Sequence, residues 1–128
     1  MNVPDSSAWL AYLSDEATAE HFAGPIEDIE GLLVPVVCLY EVFRIKMRLQ
    51  GEEAALAAMS MMQQGHVVDL DASLALEAAS LGLQEKLGFA DSVIYAVAQR
   101  YGATLWTQDE HFRDKPGVRY FPKPQAGT

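Results

Sequence analysis

What most limits the fold of this chain is an alternation. Short apolar runs, too brief for helices, are separated by stretches of helical length. Asn2 to Pro4, Leu32 to Val34, His66 to Leu70, Thr104 to Trp106 and Val118 to Phe121 read as strands. Ser6 or Ser7 is placed to cap a helix through Trp9, Leu10 and Leu13. Residues 17 to 30 have helical character, broken at Gly24-Pro25 because proline disfavours the helical region for the residue before it. Pro35 fits the first turn of a helix running to Leu49 and ending at Gly51, and Glu52 to Gln64 forms another. Asp71 or Ser73 starts the next helix, and residues 90 to 101 make a strongly apolar one. Strands separated by helices pair in parallel through right-handed crossovers. The prediction is an α/β fold, a three-layer α/β/α sandwich around a short central parallel sheet.

With 128 residues, 50% of them hydrophobic, residues 1–128 suit one domain with one core, and residues 122–128 are expected to form a flexible tail. The lone Cys38 excludes an internal disulfide and a cysteine-based zinc cage. The sequence has neither a signal-like start nor an apolar run that could span a bilayer, so the expectation is a cytoplasmic protein with no membrane partner. The net charge of −9 provides no global field for nucleic acid. The cations are unevenly spread, however. None precedes Arg44; Arg44, Lys46 and Arg48 form one group, and Arg113, Lys115, Arg119 and Lys123 another. They make either a local basic rim or scattered solvated charges.

Sheets of this kind place their chemistry at the carboxyl ends of the strands, where Asp5 and Asp109 both fall. In "TQDEHF", residues 107–112, Asp109 also reads as the cap of a short helix holding Phe112. Asp91 lies on the buried side of its helix, opposite a polar stripe of Ser92, Ala96 and Gln99; its ordinary reading is a first-turn acid favoured by the helix dipole. Glu41 has apolar neighbours at Val37, Cys38 and Ile45 but also Arg44 and Arg48 at i+3 and i+7, which fits a solvated stripe equally well. His111 has the chemistry to touch a phosphate but, next to Asp109, reads more often as a surface residue, and Asp114 reads as a marginal fifth acid. His21 and His66 lack ligand-like spacing, and Met59, Met61 and Met62 read as packing.

Taken in order, "VPDSSAWLAYL", "YEVFR" and "GFADSVIYAVAQRYGATLWTQDEHF" resemble the PIN domain, and within it the single-domain VapC-like toxins, over Asn2 to Phe121. The resemblance implies a metal-dependent endoribonuclease, the toxin of a type II toxin–antitoxin system. Its catalytic quartet would be Asp5, Glu41, Asp91 and Asp109, with Asp5, Asp91 and Asp109 on the metal. Ser6 and Thr107 would be supporting hydroxyls, and Arg44, Arg48 and Arg113 candidate substrate contacts. Cys38 stands where the family places a small hydroxyl residue, which weakens the orientation of Glu41. Implied partners are RNA, a cognate antitoxin and a second copy in a homodimer. The helices 35–49 and 52–63, with Leu49 and Met62, are expected to form the antitoxin groove.

Four gathered acids also need charge relief on physical grounds: either some are protonated or a divalent ion sits among them. Two carboxylates about 5 Å apart repel by roughly 3 kcal/mol at an effective dielectric near 20. Six such pairs exceed the whole stability of a small domain. Oxygen ligands suit Mg²⁺ or Mn²⁺. Within the enzyme class the alternative is a PIN ribonuclease of RNA processing outside a toxin system; from other classes, a non-catalytic binding module and a receiver-like domain. The last rests on "HVVDLDASL" and Lys123-Pro124, but lacks paired acids after its first strand and a final helix.

Overall fold

A computed structural model describes residues 1–124. Of the tail expected at 122–128, residues 125–128 lie outside the described part. The strands are β1 (Asn2–Pro4), β2 (Leu33–Pro35), β3 (His66–Val68), β4 (Thr104–Thr107) and β5 (Val118–Tyr120). The helices are α1 (Ser6–Leu13), α2 (Ala19–Glu27), α3 (Val36–Gln50), α4 (Glu52–Met62), α5 (Ala72–Glu85) and α6 (Phe89–Tyr101). Strand β4 lies between β1 and β5, and β2 pairs with β3, all in parallel. A single bridge from Asn2 to Leu32 joins the two groups in the spatial order β3-β2-β1-β4-β5.

The central strands β1 and β2 are short and mostly apolar because helices cover both faces of the sheet there. Leu33, Val34 and Pro35 are all buried in succession, as are Val3 and Pro4. Helices α1 and α2 pack together and against β1, while α6 packs against α5 and against β1, β2 and β4. Trp9, Phe22, Met62, Ile94, Leu105 and Phe112 fill the core. The approach of α5 to α6 depends on Gly82, where a Cβ would run into Ser92 Oγ. Among the described residues no helix is long and apolar enough to cross a membrane.

Four local expectations need correction. Helix α2 runs through Gly24-Pro25 and ends at Glu27. Gly24 has no Cβ to meet the proline ring, and burial of Phe22, Pro25 and Ile26 on one face holds the helix together. The cap of α1 is Asp5, with Ser6 already helical. Ser92 is buried rather than on a polar stripe, its hydroxyl donating to the carbonyls of Gly88 (2.6 Å) and Leu87 (3.2 Å). Lys46, counted in the basic rim, continues the buried Cys38–Val42 stripe of α3 and donates to Ser14 Oγ at 3.0 Å and Gln50 Oε1 at 3.1 Å.

Candidate active site

The β1–α1 turn builds the first corner. Asp5 has extended backbone, and its Oδ1 accepts from the Ala8 amide at 2.9 Å, which starts the helix. The same oxygen accepts from Ser7 Oγ at 2.6 Å, and Oδ2 accepts from Thr107 Oγ1 at 2.5 Å. Asp5 is only 3% exposed. Burial pushes its pKa up to about 6, against the opposing pull of the Ser7, Thr107 and Ala8 donors, with the Asp109 charge adding to the rise. Thr107 also links two corners, because its Oγ1 accepts from the Asp109 amide at 2.8 Å.

The second corner combines α6 with the turn after β4. Asp109 caps a single 3-10 turn, Glu110–Phe112, accepting the His111 amide at 2.9 Å on Oδ1. Phe112, fully buried, anchors that turn. His111 Nδ1 then lies 3.1 Å from Asp109 Oδ1 and 3.4 Å from Asp91 Oδ2. Asp91, half-buried in the first turn of α6, has its pKa raised by burial, then by the charges of Asp109 and Glu41; His111 partly offsets this. Donor atoms of Asp91, Asp109 and His111 all fall within 4.8 Å of one another. Two carboxylates and an imidazole form a chemically sound donor set for a divalent cation.

Glu41 supplies the third corner from α3, accepting from Ser6 Oγ at 2.5 Å. Beneath it, Cys38 is fully buried, its thiol held well above the usual range by burial and by the charges of Asp5, Glu41 and Asp91. It remains a protonated, inert thiol at neutral pH. The four acids thus share one electrostatic neighbourhood while arriving from four different elements.

The candidate cations divide. Arg113 lines a groove of about 620 Å³ with Ser7, Asp109, Tyr120 and Lys123, so it opens directly onto the site. Arg44 is exposed and donates to Tyr40 Oη at 2.9 Å rather than to Glu41. Arg48 is exposed two turns beyond Glu41, roughly 10 Å along the axis. Asp114, with its side chain 93% exposed beside Arg113 at 3.9 Å, points to solvent. His21 stacks on Phe121 with ring centroids 4.3 Å apart.

A family model described as PIN domain matches residues 3–118. The chain belongs to the PIN domain family. All four acids lie within the matched stretch. The fold of this PIN domain is similar to that in a toxin–antitoxin complex from Klebsiella pneumoniae, with TM-score 0.81, 16% identity and coverage of 96% of this chain and 100% of that one. It is similar to the Sarcin-Ricin loop cleaving toxin VapC20 of Mycobacterium tuberculosis, with TM-score 0.78, 20% identity and coverage of 95% and 100%. VapBC2 from Rickettsia felis, solved bound to a DNA fragment from its promoter, gives TM-score 0.71, 12% identity and coverage of 94% and 97%. Comparison with curated proteins gives no significant match.

Two residues of this PIN domain escaped the sequence reading. Ser7 donates to Asp5 and accepts from the Gln108 amide at 3.1 Å, tying β1 to the β4 turn. His111, read as surface, is 71% exposed yet directs Nδ1 at two of the acids. Its signal was the two-residue spacing from Asp109, which one 3-10 turn converts into proximity.

Proposed function

We propose that residues 1–128 make one catalytic domain, a divalent-metal-dependent endoribonuclease that is the toxin of a type II toxin–antitoxin pair and works in the cytoplasm. The observation that carries this reading is the convergence of Asp5, Glu41, Asp91 and Asp109 at the carboxyl end of the sheet, with the pKa values of Asp5 and Asp91 raised by burial and by neighbouring acids. Such a cluster is costly without a cation. Asp5, Asp91 and Asp109 are the carboxylates for Mg²⁺ or Mn²⁺. When bound, the ion supplies an activated water and neutralises charge on the phosphodiester. Asp5 is oriented before binding by Thr107 and Ser7, and Glu41 is held by Ser6 to receive a proton from the attacking water. Arg113 and Lys123 line the adjoining groove beside Asp109 and Glu110, so these two cations together with the bound ion are what an RNA backbone meets on an acidic protein. Arg44 and Arg48 extend that contact along α3.

The partners follow from two apolar surfaces. Leu49 is 69%, Leu56 52% and Met61 41% exposed on α3 and α4. Beside them a groove of about 440 Å³ is lined by Leu13, Ala54, Ala57, Ala58 and Met61 and by the polar Lys46, Gln50, Ser60 and Gln64; Leu49, expected to line it, lies outside that lining. That groove, with its mixed lining, suits an amphipathic helix of an antitoxin. Met62, expected to line it, is instead fully buried in the core, so substitutions there report folding and not binding. On α5 and α6, Leu76, Leu83 and Phe89 are 73%, 86% and 70% exposed and provide a homodimer face.

The test is incubation of the purified protein with total cellular RNA in Mg²⁺, Mn²⁺ or EDTA, followed by end mapping. Cleavage is expected only with metal and is expected to be lost in Asp5→Asn and Asp91→Asn. Undiminished cleavage in EDTA or in either variant rejects the reading.

A further inference from the structure

We infer that His111 is itself a ligand of the divalent cation, and that it makes the site a mixed nitrogen–oxygen one preferring Mn²⁺ over Mg²⁺. The inference rests on the metal-dependent reading above and concerns which ion that site selects. Three observations converge on it.

The first is spacing. Neighbouring ligands of an octahedral ion with bonds of about 2.1–2.3 Å lie about 3.0–3.3 Å apart. His111 Nδ1 is 3.1 Å from Asp109 Oδ1 and 3.4 Å from Asp91 Oδ2, the separations of ligands sharing an octahedral edge. All three donors fit within 4.8 Å, so one ion can touch them together.

The second is how the ring is held. The His111 amide is bound to Asp109 Oδ1 at 2.9 Å, and the next residue, Phe112, is fully buried. The backbone is therefore fixed on both sides of an imidazole that is itself 71% exposed. The side chain is oriented by the turn, toward the acids, without being buried there.

The third is residue choice. Among the described residues, His111 is the one basic side chain within 4 Å of Asp91 or Asp109. Arg113, two residues on, pairs with Asp114. A lysine or arginine in that place would neutralise the acids and exclude a metal, because neither offers a lone pair. Neutral imidazole does offer one. Mg²⁺ favours oxygen ligands and dehydrates reluctantly, whereas imidazole suits transition ions.

The deciding measurement is pulsed electron paramagnetic resonance on the full chain loaded with Mn²⁺. A directly bound imidazole nitrogen gives a hyperfine coupling, and ¹⁵N-histidine labelling identifies it. The coupling is expected in the wild type and absent in His111→Ala, which folds because the ring is exposed. In parallel, equilibrium dialysis should show Mn²⁺ affinity falling roughly tenfold in His111→Ala, with Mg²⁺ affinity changing less than about threefold. Stoichiometric Mn²⁺ without nitrogen coupling, at equal affinity in both proteins, overturns the ligand role and leaves the metal-dependent reading intact. No Mn²⁺ binding at millimolar concentration overturns both.

Discussion

The two aspartate corners of the site are prepared in opposite ways. Asp5 is 3% exposed and receives three hydrogen bonds, from Ala8, Ser7 and Thr107, so its carboxylate is fixed before anything binds. Asp91 has a side chain 23% exposed, faces Asp109 and Glu41 as like charges, and has only the exposed His111 in partial compensation. One corner is organised by donors; the other is a repulsive arrangement that a cation completes. Preorganised polar groups cost nothing to rearrange during reaction, which explains why both kinds coexist. The corners should therefore fail differently when altered.

The largest difference is expected in metal affinity and turnover. Asp91→Asn should lower the cleavage rate roughly a thousandfold and weaken Mn²⁺ binding by more than tenfold. Asp5→Asn should cost a similar factor in rate with a smaller loss of Mn²⁺ affinity, because three protein donors share its oxygens and only Oδ2 keeps a lone pair for the ion. Single-turnover kinetics with calorimetric metal titration measures both quantities. Equal loss of affinity in the two variants would erase the proposed contrast.

Next in size is the pH dependence of the metal-free protein. The folded pKa of Asp5 is about 6, against about 3.9 unfolded. The native state thus binds the proton more tightly, and this contribution is complete below about pH 3.9 and lost as pH rises through about 6. Two units correspond to about 3 kcal/mol. Urea unfolding in EDTA from pH 4 to 8 should show that decline, and Asp5→Asn should flatten it. A curve of the same slope in Asp5→Asn assigns the effect to other groups.

Thr107→Val comes third. The fully buried hydroxyl donates to Asp5 and accepts from Asp109, so its removal leaves both partners short, at about 2 kcal/mol of stability. Losing a donor also raises the Asp5 pKa further and moves the pH decline upward. An unshifted decline would show that the hydroxyl does not tune Asp5.

This contrast was only half legible in the sequence. Apolar runs and helical spacings are local signals, so the alternating elements and the acids at strand ends could be read directly. Which side chain faces which neighbour is decided by packing. Successive residues on a helix lie about 100° apart, so Met61 and Met62 in α4 read alike, yet one is exposed and the other fills the core. Lys46 looked like surface charge because charge is usually solvated, but its aliphatic stem lies along the Cys38–Val42 stripe of α3. The Asp5 cap displaced the expected serine caps because its extended backbone lets a carboxylate reach the Ala8 amide, freeing Ser6 and Ser7 to brace Glu41 and Asp5. The short turn capped by Asp109 was legible, but the direction of the His111 ring toward Asp91, a residue from another helix, was set by tertiary packing.

The smallest effect carries the clearest sign. In the absence of metal near pH 7, Asp91→Asn should raise stability, because it removes a half-buried charge that Asp109 and Glu41 repel. The substitution also gives up the contact with His111, but that imidazole is 71% exposed and such pairs contribute little. Repulsion is screened at a site this open, so the net gain should be under about 1 kcal/mol. It should appear as a melting temperature higher by a few degrees in EDTA. Adding Mn²⁺ should then reverse the order, since the ion stabilises only the folded state and does so less in the variant. An Asp91 that served merely to favour the helix dipole would behave otherwise: Asn would be neutral or destabilising in EDTA, and Mn²⁺ would raise both melting temperatures equally. That result would remove Asp91 from the metal site and leave Asp5 and Asp109 as its carboxylates.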